Sequence, residues 1–327
     1  MSQQGKRMVF LSVVALSGYL MVNAIAAEKY DVRWGTSQMG GTWAVLGNAM
    51  LEDVLKGSPN LMGSTVPMAG AANVIGVHLG KLNIAFSFSD TIGDAWEGKE
   101  DFKSVGKIQN IRILASLFPE PTQFAVYADS GISSLPQLKG KKISPGPRAS
   151  AIEIVTRRIF EAYGMTTRDV QWRPLSYTDA TEQMLDRHID AILYGAMVYP
   201  APNLVNLSSQ RQIRLLSLPD DIIDKLVKKY KGLEPFTLPA GSYKGVDYPV
   251  KGIASNCILI AGEDMPEEVA YVIVKKIAEN FDRYITTAKA MALGKANEMG
   301  KDVGFPYHPG AIKYYKERGW SVPPEKN

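Results

Sequence analysis

The sequence predicts an α/β protein of two similar lobes, joined by extended crossings, with a ligand cleft between them. Three observations carry this. Short apolar strands alternate with helical segments, the rhythm of parallel βαβ units. That rhythm restarts in the second half, where Leu185–Gly195 repeats the plan of Leu79–Ser87: helix end, basic residue, Asn or Asp, apolar strand. Two long β-like runs, Ile111–Gly131 and Val250–Met265, are suited to crossing from one sheet to another. At 327 residues the chain is long enough for two domains. Ligands in open α/β sheets sit beyond the carboxyl ends of the strands, and here those ends from both lobes face one cleft.

In chain order, Tyr30–Thr36 reads as a strand, followed by a glycine-rich turn and a helix over Thr42–Lys56. Leu61–Met68 is the next strand and GAANVIGVHLG the next helix. Leu82–Ser89 is apolar enough for a central parallel strand, and Asp90 is placed to cap the short helix after it. Ile111–Gly131 is two strand-like runs separated by Pro119 and Pro121. LKGKKISPGPRASAIEIVTRRIFEAYG then gives strand, turn and helix, and SYTDATEQMLDRHIDAILYG gives helix and strand. Asp220–Gly232 is an amphipathic helix with a charged face. Asp264 and Glu267 resemble a capping box, after which Val269, Val272, Ile273, Ile277, Phe281 and Tyr284 recur at helical spacing.

Lys6 and Arg7 precede an apolar stretch, Met8–Val22, and Ala24 and Ala26 form an A-x-A pattern. This reads as a secretory signal peptide over residues 1–26, removed to leave an exported protein. Its removal lowers the formal charge of +4 by two cations. Without a basic run interleaved with aromatics, nucleic acid is not expected as a partner. The one cysteine, Cys257, lies in an apolar run and reads as core. His78, His188 and His308 are scattered, without metal-ligand spacing. No G-x-S-x-G elbow is present. Neither an enzyme nor a cofactor or metal site is expected.

Four strand-to-helix loops are the candidate binding elements. Gly35–Thr42, GTSQMGGT, is nearly the phosphate-binding loop, but Gly41 stands where its lysine belongs. That excludes a nucleotide and leaves backbone amides at a helix start, an anion site, with Gln38, Thr42 and Trp43 around it. In Met68–Val74, Asn73 either lines the cleft or caps a helix. Ser89 and Asp90 end the third strand, the acid suiting an ammonium or hydroxyl or else capping. In Ser144–Glu153, Arg148 at a helix entry opposes the macrodipole unless an anion joins it, and its fork matches a carboxylate.

In combination these features resemble the TAXI family, the extracytoplasmic solute receptors of tripartite ATP-independent periplasmic (TRAP) transporters. The resemblance rests on GTSQMGGTW, SFSD, LASLFPEPTQFAVYADSGISSLPQLKGKKIS, IDAILYGAMVYPAP, LPAGSYKGVD, MPEEVAYVIVKKIAEN and HPGAIKYYKERG, in that order. It implies a two-lobed periplasmic-binding-protein fold of the second type, closing as a monomer around a small anionic solute. It also implies delivery to membrane permease subunits driven by an ion gradient. The family's solutes imply a small carboxylate, with a glutamate-like or 2-oxoglutarate-like dicarboxylate favoured. Gly40, Gly41 and Thr42 match the family's glycine-glycine-threonine, and Trp43 departs from its frequent tyrosine. Ser89 and Asp90 match the third loop. Pro147–Arg148–Ala149–Ser150 departs from the small residues expected there, and Tyr194–Gly195 occupies the matching strand end of the second lobe. The implied organisation is signal peptide 1–26, first lobe 27–121, second lobe with hinge strands 122–257, and a return to the first lobe over 258–327. A solute sensor docking on a signalling receptor, or a periplasmic enzyme using the same cleft, are the alternatives.

Overall fold

The computed structural model describes residues 29–323 apart from 40, 69, 149 and 196–198, so the expected signal peptide lies outside the described residues. The chain opens with β1 (Tyr30–Gly35), α1 (Thr42–Lys56), β2 (Leu61–Val66), α2 (Gly70–His78), β3 (Ile84–Phe88) and α3 (Ser89–Glu97). α1 forms because Leu46, Met50 and Val54 recur on one face, and all three are fully buried. Each such burial stabilises by roughly 1.5–3 kcal/mol.

A long strand, β4 (Ile111–Tyr127), leads into β5 (Lys142–Ser144), α4 (Ala151–Ala162), β6 (Gln171–Trp172), α5 (Tyr177–Leu185) and β7 (Ala191–Gly195). Next come α6 (Pro202–Gln210), β8 (Ile213–Leu215), α7 (Asp220–Lys229), β9 (Leu233–Leu238) and the second long strand, β10 (Val250–Gly262). The chain closes with α8 (Glu267–Glu279), α9 (Arg283–Thr287) and α10 (Pro309–Glu317). Among the described residues no helix is long and apolar enough to cross a membrane.

The strands form one continuous curled sheet in the order β2-β1-β3-β10-β4-β7-β5-β6, with β8 added on β4 and β9 on β10. β4 and β10 each serve both lobes. Ile111–Phe118 of β4 and Cys257–Gly262 of β10 pair within the first lobe, while Thr122–Tyr127 of β4 pairs with β7 and β8 in the second. Between these halves the two strands run antiparallel, with Ala254 opposite Pro121, Ser255 opposite Glu120 and Asn256 opposite Pro119. This pair is the crossing between lobes. Where the sequence suggests two runs broken by prolines, the structure has one 17-residue strand, with irregular register on the first-lobe side.

The second lobe buries its sheet on both faces, as the period of two requires. Phe124, Val126, Ala191 and Leu193 join one core cluster with Ile159 and Leu226, while Ala125, Tyr127, Ile192 and Tyr194 join another with Leu204 and Val250. A larger cluster unites the first lobe with α8 and α10 and includes Cys257, which is fully buried.

Three capping expectations are corrected. α3 starts at Ser89 with Phe88 as N-cap, so Asp90 lies inside the first turn. α8 starts at Glu267 behind Pro266 without a side-chain cap, because the proline fixes its entry. Asn73 sits within α2.

Candidate functional site

A cavity of about 320 Å³ lies over the hinge pair, large enough for a small solute. Its floor is Glu120 and Thr122 of β4 with Ser255 of β10. Glu120 and Thr122 are two positions apart and so share a strand face. Its walls come from both lobes: Thr42, Phe88 and Asp90 on one side, and Ser150, Ala151, Ile152, Val155, Tyr177, Tyr194, Gly195, Pro202 and Leu233 on the other. Thr42, Asp90, Ala151, Tyr177 and Pro202 belong to the first turns of α1, α3, α4, α5 and α6. Unpaired amides and aligned peptide dipoles at such ends favour negative charge.

Tyr194 and Tyr177 stack with ring centroids 4.0 Å apart, and the Tyr177 hydroxyl donates to the Gly195 carbonyl at 2.8 Å. Both phenols are held well above the ordinary tyrosine range, mainly by burial. Ser150 caps α4, its Oγ accepting from the Glu153 amide at 3.3 Å and donating to the Pro147 carbonyl at 2.6 Å. Replacing Ser150 with alanine is expected to cost about 1 kcal/mol, the usual worth of such a cap, read from the urea midpoint of unfolding.

Asp90 is buried and fully engaged. Its Oδ1 accepts from Ser255 Oγ at 2.6 Å, and its Oδ2 lies 3.4 Å from Arg158 Nη1. Arg158 also reaches Asp94 Oδ1 at 2.5 Å, and its guanidinium lies over the Tyr230 ring at 4.7 Å. Burial alone pulls the guanidinium pKa down. The Asp90 charge, with the hydrogen bond and charge of Asp94, outweighs burial and raises it above the ordinary arginine value. Glu120 differs. Burial, with the Asp90 charge adding to it, pushes its carboxyl up to about 8.

Of the residues expected from the sequence, Thr42, Asp90, Ser150, Tyr194 and Gly195 meet at the cavity. Gly40 and Ala149 lie outside the described residues. Trp43 points into the core, where Nε1 donates to Cys257 Sγ at 3.2 Å and the ring stacks on Phe86. Asn73 is buried and its Nδ2 bridges the carbonyls of Thr36 and Phe86, tying the ends of β1 and β3 together. Ser89 is spent on the lobe contact: its Oγ donates to the Gly232 carbonyl at 2.5 Å and accepts from the Asn256 amide at 2.8 Å. Gln38 is exposed and Gly41 half-buried, and neither lines the cavity. In this loop Ser37 Oγ accepts from the Ala44 amide, and the Gly41 amide bonds back to Gln38. Arg148 is exposed and outside the lining.

The polar lining residues that the sequence reading missed are Glu120, Thr122, Ser255 and Tyr177, and it also missed the apolar wall of Phe88, Ala151, Ile152, Val155, Pro202 and Leu233. The available signal was Pro119-Glu120-Pro121 between two strand runs, which puts an acid at the midpoint of the crossing. Among the described residues no group of three or more His, Cys, Asp or Glu is arranged to hold a metal.

A family model described as the NMT1-like family matches residues 34–319. Solved structures with similar folds include a periplasmic sulfonate-binding protein SsuA from Methylobacillus flagellatus KT. It shares 13% identity, with 92% of this chain and 99% of that chain covered, at a TM-score of 0.55. A TctC solute binding protein from Polaromonas shares 16% identity over 88% and 98%, at 0.52. The periplasmic aliphatic sulphonate binding protein SsuA from Escherichia coli shares 15% over 91% and 85%, at 0.51. The shared architecture is the two-lobed one of periplasmic binding proteins.

Proposed function

This chain belongs to the NMT1-like family, and from that premise we propose that it is an extracytoplasmic solute-binding protein, the receptor of a TAXI-type TRAP transporter. The observation that carries this reading is the cavity on the hinge pair, walled by helix starts from both lobes. A solute seated there touches both walls and so favours the closed arrangement over the open one. The closed form then presents itself to the permease subunits, and no bond is made or broken. The lobes are taken to divide at 121/122 and 257/258, on either side of the crossing, with residues 1–26 as the export signal and the periplasm as the site of action.

The solute is read as a small carboxylate of the glutamate or 2-oxoglutarate class. The first turns of α1, α4, α5 and α6 and the hydroxyls of Thr42 and Thr122 are read as the partners of its anionic end, the Ser150 and Ser255 protons being already given to Pro147 and Asp90. Arg148, the sequence's candidate for that role, stands outside the cavity, so the carboxylate reading rests on helix ends and hydroxyls instead.

A thermal-shift screen of carboxylates and amino acids on the mature protein tests this. A true ligand at about a hundred times its dissociation constant adds roughly 2.7 kcal/mol of stability. A flat melting profile across the whole panel would count against a solute receptor.

A further inference from the structure

Resting on the reading of the cleft as a solute site, we propose that Glu120 selects the solute, which presents a protonated nitrogen to that carboxylate. Glu120 lies at the centre of the hinge pair, opposite Ser255, with prolines on both sides fixing the local backbone. Its side chain lines the cavity floor between lobes. Among the described residues it has no hydrogen-bond or ion-pair partner, whereas Asp90 beside it has Ser255 and Arg158. None of the described residues lining the cavity is Lys, Arg or His.

A carboxyl group in a cavity walled by Phe88, Ile152, Val155, Tyr177, Tyr194 and Leu233 is costly to ionise alone. A cationic nitrogen supplies the missing partner and forms a charge-assisted bond with it. The helix starts and hydroxyls around the walls leave the anionic part of the same solute its own partners. Glu120 is therefore the group that separates a solute carrying an ammonium from one of the same shape without it.

The proton balance follows. With its carboxyl held up to about 8, Glu120 is protonated in the empty cleft at neutral pH. Docking of a cation releases that proton to solvent. The other groups around it do not exchange protons in this range. Burial raises Tyr177 on α5, Tyr194 on β7 and Cys257 on β10 further above their ordinary, already alkaline values, and Arg158 on α4, paired with Asp90 on α3, stays charged. Affinity should therefore rise with pH up to about 8 and level off above.

Calorimetry with matched probes tests this: L-glutamate against glutarate, and L-leucine against 4-methylpentanoate, at several pH values and in both Tris and phosphate. The expected result is binding of an amine-bearing probe at least ten-fold tighter than its deaminated partner. Its affinity should climb several-fold from acid pH toward 8, with a buffer-dependent heat from the released proton. Glu120→Gln keeps the shape and should fold normally by circular dichroism, yet lose at least ten-fold in affinity and flatten the pH profile. Equal affinity of deaminated probes, or a Gln variant that binds like the wild type, overturns the role of Glu120 and leaves the solute-binding reading standing. Failure of every probe counts against both.

Discussion

Replacing Arg158 with methionine is expected to open the two lobes and lower the melting temperature by several degrees. Arg158 reaches from α4 of the second lobe to Asp90 and Asp94 on α3 of the first. Its side chain is only 6% exposed, and those of the two acids 4% and 13%. Methionine keeps much of the packing volume over Tyr230 but leaves two carboxylates in the lobe contact without their cation. Removing one member of a buried ion pair typically costs about 3–5 kcal/mol, because the surviving charge is uncompensated. Separation of the lobes lets water reach those acids, so the cost falls first on the closed arrangement. Small-angle scattering should therefore show a larger radius of gyration for the variant than for the wild type. Arg158→Lys retains charge but not the fork that spans both acids, and should fall between the two. A Met variant with wild-type scattering and melting would show that this triad does not hold the lobes together.

The helices and strands were legible where one face or both are buried. The expected span of α1, Thr42–Lys56, is the observed one, because its apolar stripe starts and stops with the helix. The crossings were legible too, although prolines that suggested a break sit inside a continuous strand. They are accommodated in the middle of the continuous sheet, where the pairing of β4 passes from β10 to β7. The site was legible only in part, for a reason of phase. A loop at a strand end can be recognised from its glycines and small residues, but which side chains turn inward depends on rotation of the following helix. Thr42 and Trp43 are adjacent, yet Thr42 faces the cavity and Trp43 stacks in the core. Asn73 is polar and loop-proximal, but its amide is used to join two strands. Glu120 was set aside because, as a sequence feature, it could be matched only with Asp129, nine positions on, and that pair would meet only by accident of folding. Only the pairing of Glu120 with Ser255 across the crossing puts it on a cavity floor.

The second large effect expected is at Gly232, which precedes β9 and meets α3 from the opposite lobe. Its φ is +94°, a conformation that L side chains rarely adopt. A Cβ there would stand 2.2 Å from the Ser89 carbonyl oxygen and 2.7 Å from the Asp90 amide nitrogen, both backbone atoms with no rotamer to yield. Gly80 serves as the comparison: its φ is +66°, and nothing lies within 4 Å of an added Cβ. Gly80→Ala should therefore cost only the left-handed penalty of about 1–2 kcal/mol. Gly232→Ala carries a strain of that kind plus an overpacking cost of about 1–3 kcal/mol or more. It also displaces the carbonyl that Ser89 Oγ donates to, and so loosens the contact that sets α3 against the second lobe. Urea unfolding of the two variants side by side should show Gly232→Ala the less stable by at least 1–2 kcal/mol, the surplus coming from overpacking. Scattering should show separation of the lobes in Gly232→Ala alone. Equal midpoints for the two alanines would mean that the lobes yield at this contact without cost, and that closure is held by Arg158 instead.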